Sequence, residues 1–206
     1  GQQPDPNTGR TPLQLFMDGR AQAAYDRQVY ELWSDITSGG QIGSQIVRDA
    51  RIRARLTGQK IEKLLTPADY TKIGRWVAQQ LKGREVWVVL MPSAAYTNSR
   101  KASYHFVKGL EHNPNWPLVF YNNKQKIFVN ARTPQGKKLF NGISNGKTLY
   151  PDDFSKNLTL AHNLFLFAGN DKTKRKQALD FAIKAFESNR SQAPIREIIY
   201  VAGRFP

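Results

Sequence analysis

Asn163-Leu-Phe-Leu-Phe-Ala168, the segment from Lys172 to Ser188, and Arg196-Glu-Ile-Ile-Tyr-Val-Ala202 together decide how the fold is read. The two outer runs are short, apolar and rich in aromatic or β-branched side chains, the composition of buried strands. Between them Ala178, Phe181, Ala182, Ala185 and Phe186 recur at three- and four-residue steps, the period of one helix face. Strand, helix and strand in that order predict a C-terminal βαβ unit with parallel strands and a right-handed crossover, bringing Ala168-Gly169 and Ala202-Gly203 to one edge of a sheet.

Working upstream, Glu85-Val-Trp-Val-Val-Leu-Met91 is a further apolar run, bounded by Gly83 and Pro92, and reads as a central strand buried on both faces. Pro117-Leu-Val-Phe-Tyr121 and Gln125-Lys-Ile-Phe-Val-Asn130 flank Asn122-Asn123-Lys124 and predict a hairpin, because Asn tolerates the left-handed backbone of tight turns. Before Gly83 the texture is helical. Thr11-Pro12, Thr66-Pro67 and Thr133-Pro134 each offer a capping hydroxyl followed by proline at the first helical position. Leu13, Phe16, Met17, Ala21, Ala24, Tyr25, Leu32, Trp33 and Ile36 carry the first stripe, Ile42, Ile46, Val47, Ala50 and Ala54 a second ending at Gly58, and Tyr70, Ile73, Trp76, Val77 and Leu81 a third. The expected class is α/β. A lead-in over 1–10 precedes a helical N-terminal region over about 11–82, packed as one unit on a sheet domain over 83–206 with a mixed, partly parallel sheet of about five strands.

Forty per cent of the 206 residues are hydrophobic, with eleven Phe and four Trp, so the chain can bury a sizeable core and is not disordered by composition. Thirty-one Lys and Arg against sixteen Asp and Glu leave a net charge of +15, which draws nucleic acid, anionic lipid or acidic proteins. The excess is carried on both sides of Ser103, by the folded body and not by a tail. Absence of cysteine excludes disulfides, thiolate nucleophiles and Cys-bearing metal sites. His105, His112 and His162 show no two-ligand spacing on one element, and neither a Walker A loop nor a G-x-G-x-x-G fingerprint occurs, so no cofactor is expected. The longest apolar runs, Val86 to Met91 and Leu164 to Ala168, fall far short of the roughly 20 residues of a membrane span. The chain starts Gly1-Gln2-Gln3, so cytoplasmic and, after removal of a signal peptide, periplasmic or secreted locations both stay open.

Ligands of open α/β sheets bind beyond the carboxyl ends of the strands, which points to Pro92–Lys101, Gly169–Lys176 and Gly203-Arg204. A helix N-terminus prefers acids, yet Lys172, Lys174, Arg175 and Lys176 crowd the start of the helix after Asn170, an arrangement that suits a bound phosphate. The alternative is that Asn170 or Asp171 caps this helix and the cations are solvated. The expected phosphate-binding set is Ser99, Arg100, Lys101, Asn170, Lys172, Lys174, Arg175, Lys176 and Arg204. Arg48, Arg51, Arg53 and Arg55 form either a solvated face or a phosphate-facing strip. Tyr96, Tyr104, Trp116, Tyr121 and Phe128 interleave with Arg100, Lys101, Lys124 and Lys126, a pattern shared by single-strand binders and by ordinary packed strands.

Nucleic-acid binding through the phosphate backbone is the leading functional expectation. Two alternatives stand beside it. One is a metal-dependent phosphodiesterase or nuclease, a secreted toxin in one version, using Asp152 and Asp153 with Asp171 or Glu85, although the Asp pair also reads as a turn and helix cap. The other is an extracytoplasmic accessory or assembly protein meeting an acidic partner or a membrane surface. Ser93, Ser99 and Ser103 lie near His105 in sequence, but no nucleophile elbow is present, and His105 reads as packing or capping.

Overall fold

The computed structural model describes residues 27–99 and 101–203. The lead-in over 1–10, the Thr11-Pro12 start and the stripe through Tyr25 lie outside the described residues. Helix α1 (Arg27–Ser38) turns through Gly39 and Gly40, at φ 82° and 62°, into α2 (Gly40–Thr57). A side chain at Gly40 would run into the Trp76 ring, so the corner requires glycine twice over. Gly43, Val47 and Ala50 face inward from α2, which stops at Gly58 as its spacing predicts. The single turn α3 (Ile61–Leu64) folds back against it. Helix α4 (Pro67–Lys82) starts with a reciprocal cap. The Asp69 amide donates to the Thr66 hydroxyl at 3.2 Å, and the Thr66 amide donates to the Asp69 carboxylate at 2.9 Å. Tyr70, Ile73, Val77 and Leu81 are its buried stripe, as read from sequence.

Strand β1 (Val88–Pro92) leads through a 3₁₀ turn (Ser93–Ala95) to α5 (Ala102–Glu111). The predicted hairpin follows as β2 (Leu118–Tyr121) and β3 (Gln125–Val129), with the Asn122 side-chain oxygen accepting from the amides of Lys124 and Gln125. The rest of the chain is α6 (Pro134–Ser144), capped by Thr133, then α7 (Asp153–Leu166), α8 (Lys172–Ser188) and α9 (Gln192–Ala202).

The expected α/β class, with five strands and a βαβ unit, is overturned. The sheet has three antiparallel strands in the order β1-β3-β2, and the described residues are mostly helical. Residues 163–168 are the last turns and the end of α7, whose cap at Asp152 starts a helix with Leu158, Ala161 and His162 already buried at helical spacing upstream. The Leu-Phe-Leu-Phe run continues that period and does not begin a new one. Residues 196–202 belong to α9, where Ala193, Pro194, Glu197 and Val201 are buried at three- and four-residue steps. Pro194 falls in the first turn, where its missing N–H removes no helical bond. The predicted βαβ is therefore three consecutive helices, with α8 packed on both α7 and α9. Strand β1 is also an edge and not a central strand, and Leu90 is 56% exposed.

The other edge, β2, is covered by α7. The Tyr121 amide donates to the Thr159 hydroxyl at 2.8 Å, and the Asn163 side chain donates to the Leu118 carbonyl at 2.9 Å. Residues from every layer, among them Ile36, Ile73, Phe106, Leu110, Phe128, Leu158 and Ala193, share one core. Helices α4 and α5 approach most closely where Gly74 meets Gly109.

Candidate phosphate-binding cleft

The cations expected at one site are distributed over two regions. Asp171 caps α8, its carboxylate accepting from the Lys174 amide at 3.0 Å, and lies 3.7 Å from the Lys174 ammonium. Arg175 folds back so that its guanidinium donates to the Gly169 carbonyl, with Asn170 Oδ1 at 3.4 Å. Asn170, Lys172, Lys174 and Lys176 are exposed. The helix start thus already holds one carboxylate, set against the four cations that crowd it. Its partners are α7 and α9, whereas the 99–101 segment leads into α5, which packs on α4 and α1. Arg100 and Arg204 lie outside the described residues.

Ser99 instead meets residues of α2 and α3. Its hydroxyl donates to the exposed Glu62 carboxylate, and both line an open cleft of about 840 Å³ together with Arg51, Ala54, Arg55, Gln59, Lys60 and Ile61. Lys101 is exposed two residues beyond Ser99. Arg51 and Arg55 are one helical turn apart, so both project from the same side of α2. The Ser99 hydrogen bond, a backbone N–H and nearby Lys60 hold the Glu62 carboxyl below its ordinary range. Three cations therefore face one ionised carboxylate that is already bonded. Of the four arginines read as a strip on α2, the fold sends Arg51 and Arg55 to the cleft and turns Arg53 toward the Leu64 carbonyl at 3.4 Å.

Behind the cleft His105 is 2% exposed, and neither ring nitrogen has a hydrogen-bond partner. It lies between Tyr70, stacked at 6.4 Å, and the edge of Tyr104 at 5.4 Å, so it packs as the sequence suggested. Burial, with Arg51 nearby, lowers its pKa from 6.5 to about 4. Because the folded value is depressed, the unfolded chain binds the extra proton. Stability is then present above pH 6.5 and is lost as pH falls from 6.5 toward 4, by about 3 kcal/mol. Urea unfolding across that window should show the decline, and His105→Leu should remove this part of the slope. An unchanged slope in the variant would place the acid sensitivity elsewhere.

A second polar constellation lies in the core. Glu111 on α5 accepts from Lys108 at 2.7 Å, from Lys126 on β3 at 2.6 Å and from His162 Nε2 on α7 at 3.0 Å. His162 Nδ1 meets Glu197 on α9 at 3.0 Å. The Lys126 ammonium also lies 4.3 Å from the centre of the Tyr121 ring and 4.9 Å from that of Tyr96. Burial pushes the Glu111 carboxyl up, but Lys108, Lys126 and His162 outweigh it and hold the group well below its ordinary value. Glu197 is likewise held low, burial being outweighed chiefly by His162. Burial and Lys126 act to lower His162, and the two carboxylates overcome them, so the imidazolium is favoured. Lys126 is lowered, because burial exceeds the pull of Glu111. Apart from the half-buried Lys108, the cluster is sealed in the core, and it joins four elements of the fold.

Sequence reasoning missed Glu111, Lys126 and Glu197 as a group. Of the rings read as candidates for base stacking, Tyr96, Trp116, Tyr121 and Phe128 are buried in the core and Tyr104 is half-buried. One signal was available: Lys126 shares a strand face with Phe128 by two-residue alternation, and a cation pointing inward demands a buried carboxylate. Asp152 caps α7, accepting from the Ser155 amide at 2.6 Å, and Asp171 caps α8, while Glu85 occupies a tight turn at φ 56°. Among the described residues no group of His, Asp and Glu is arranged to hold a metal ion. Comparison with known protein families, curated proteins and solved structures finds no match to this chain.

Proposed function

We propose that this protein binds polyanions built on phosphodiesters, the class to which nucleic acid belongs, through the cleft between α2, α3 and the start of α5. One observation carries the reading: Arg51, Arg55 and Lys60 converge with Ser99 on a single open cleft whose one carboxylate, Glu62, is already engaged by Ser99. Guanidinium groups offer paired donors that match phosphate oxygens, and the overall charge of +15 concentrates such ligands at the surface. Contacts of this kind hold phosphates without reading sequence.

Affinity for a duplex oligonucleotide should fall steeply with salt, with a log–log slope of about 0.9 per phosphate neutralised. Arg51→Gln with Arg55→Gln should reduce that slope by about 2, because two phosphate contacts disappear. Changing Lys172, Lys174 and Lys176 to Gln should leave it closer to the original. A slope that follows the α8 lysines and ignores the cleft arginines would refute the cleft, and affinity indifferent to salt would refute the polyanion reading.

A further inference from the structure

Arg51 and Arg55 have neighbours that a phosphate polymer does not explain. Ile52 and Leu56 follow them by one position each, so an aliphatic stripe runs along α2 beside the cationic one. Leu56 is 81% exposed, Ile52 49% and Ile42 42%, and no described residue covers them. Exposed Arg48 precedes Ile52 by one turn, Arg53 flanks the stripe on its other side, and Lys60 and Lys63 follow just beyond the helix end. Asp49, the one acid on α2, accepts from Gln45 at 3.1 Å. Gly43, Val47 and Ala50 on the opposite face stay in the fold, which presents the outer face as a rigid wedge.

From this juxtaposition we infer that the phosphodiester surface bound by the cleft is the anionic face of a phospholipid bilayer. Ile52 and Leu56 enter the acyl boundary while Arg48, Arg51, Arg55 and Lys60 hold headgroup phosphates. The inference rests on the phosphate-binding reading of the cleft and adds the source of the phosphate. A hydrated nucleic-acid backbone gains nothing from an exposed leucine. An interface with charged headgroups above hydrocarbon rewards both stripes at once, as in helices that lie on membranes. No described helix is long and apolar enough to cross a membrane.

The full chain should be sedimented with vesicles of phosphatidylcholine alone and of phosphatidylcholine mixed with phosphatidylglycerol, with the duplex oligonucleotide measured in parallel. Binding to the mixed vesicles and not to the neutral ones is expected. Arg51→Gln with Arg55→Gln should weaken it about 30-fold, given the contribution of each cation near an anionic surface. Ile52→Ser with Leu56→Ser should weaken it about 10-fold or more and leave oligonucleotide binding unchanged, with melting temperature verifying the fold of both variants. Vesicle binding that is absent, or indifferent to Ile52 and Leu56, overturns the lipid assignment. If oligonucleotide binding still depends on Arg51 and Arg55, the cleft stands without it; if neither probe responds to these arginines, both readings fall together.

Discussion

Glu111→Gln should lower stability by about 3–5 kcal/mol and the melting temperature by about 10 °C. The side chain keeps its shape and loses its charge, so Lys108, Lys126 and His162 are left in the core with Glu197 as their remaining buried carboxylate. Breaking a buried ion pair from one side is far more harmful than never having formed it, because the stranded partner still bears its desolvation penalty. The deficit should shrink as pH rises. Lys126 without its carboxylate has a folded pKa further below its unfolded one, so folding expels its proton, at a cost that vanishes once the unfolded chain is deprotonated too. Lys126→Met in the Glu111→Gln background should recover part of the loss. Urea titrations of the two variants decide the matter, and a single variant within about 0.5 kcal/mol of the parent would show that the cluster carries no such energy.

The intact cluster bounds stability on two sides of the pH scale. Glu111 and Glu197 are held below their ordinary values, so their contribution is present above the carboxylate range and lost as pH falls through the folded values. His162 is raised, so its contribution is complete below pH 6.5 and lost as pH rises through its folded value. The cluster ties α5, β3, α7 and α9 together through shared ion pairs. That role resembles the use of buried polar groups to fix register.

Gly74→Ala should also be damaging, by about 3 kcal/mol. A Cβ at Gly74 would stand 2.1 Å from the Gly109 carbonyl oxygen and 2.8 Å from its carbon, which are backbone atoms of α5 and cannot rotate away. Relief requires α4 and α5 to separate, which would loosen Ile73, Val77, Phe106 and Leu110 and break the 3.0 Å bond from the Asn113 side chain to the Gly74 carbonyl. Gly83→Ala is the control. Gly83 has ordinary helical φ of −62°, and the nearest atoms to its added Cβ are 3.7 and 3.8 Å away, so that change should be neutral or stabilising by about 0.5 kcal/mol. Thermal unfolding of both variants tests the pair. Equal melting temperatures would mean that the helices tolerate a wider separation at this crossing.

The candidate cleft was half visible in the sequence. Ser99 stands out as a polar candidate and Arg51 and Arg55 as part of a basic strip, but the two groups are separated by more than forty positions and nothing local announces that they meet. The cluster at 172–176 was conspicuous because its cations violate the dipole preference. Asp171 supplies one carboxylate at that helix start, through a side-chain cap formed within three residues.

Short-range chemistry alone determined where some of the helices begin and where the hairpin turns. Thr66-Pro67 with Asp69, Thr133-Pro134 and Asn122 act through bonds to amides two or three positions away, so the sequence contains the whole interaction. Whether 163–168 and 196–202 became strands or helices was decided by tertiary structure. Apolar runs that short satisfy either period, and the choice went to the helices that bury Leu158, Ala161 and Val201 and seal the β2 edge with Thr159 and Asn163. The ionic core belongs to the same class: Glu111, Lys126, His162 and Glu197 pair across 15 to 51 positions, and only the assembled fold brings a buried charge within reach of its opposite.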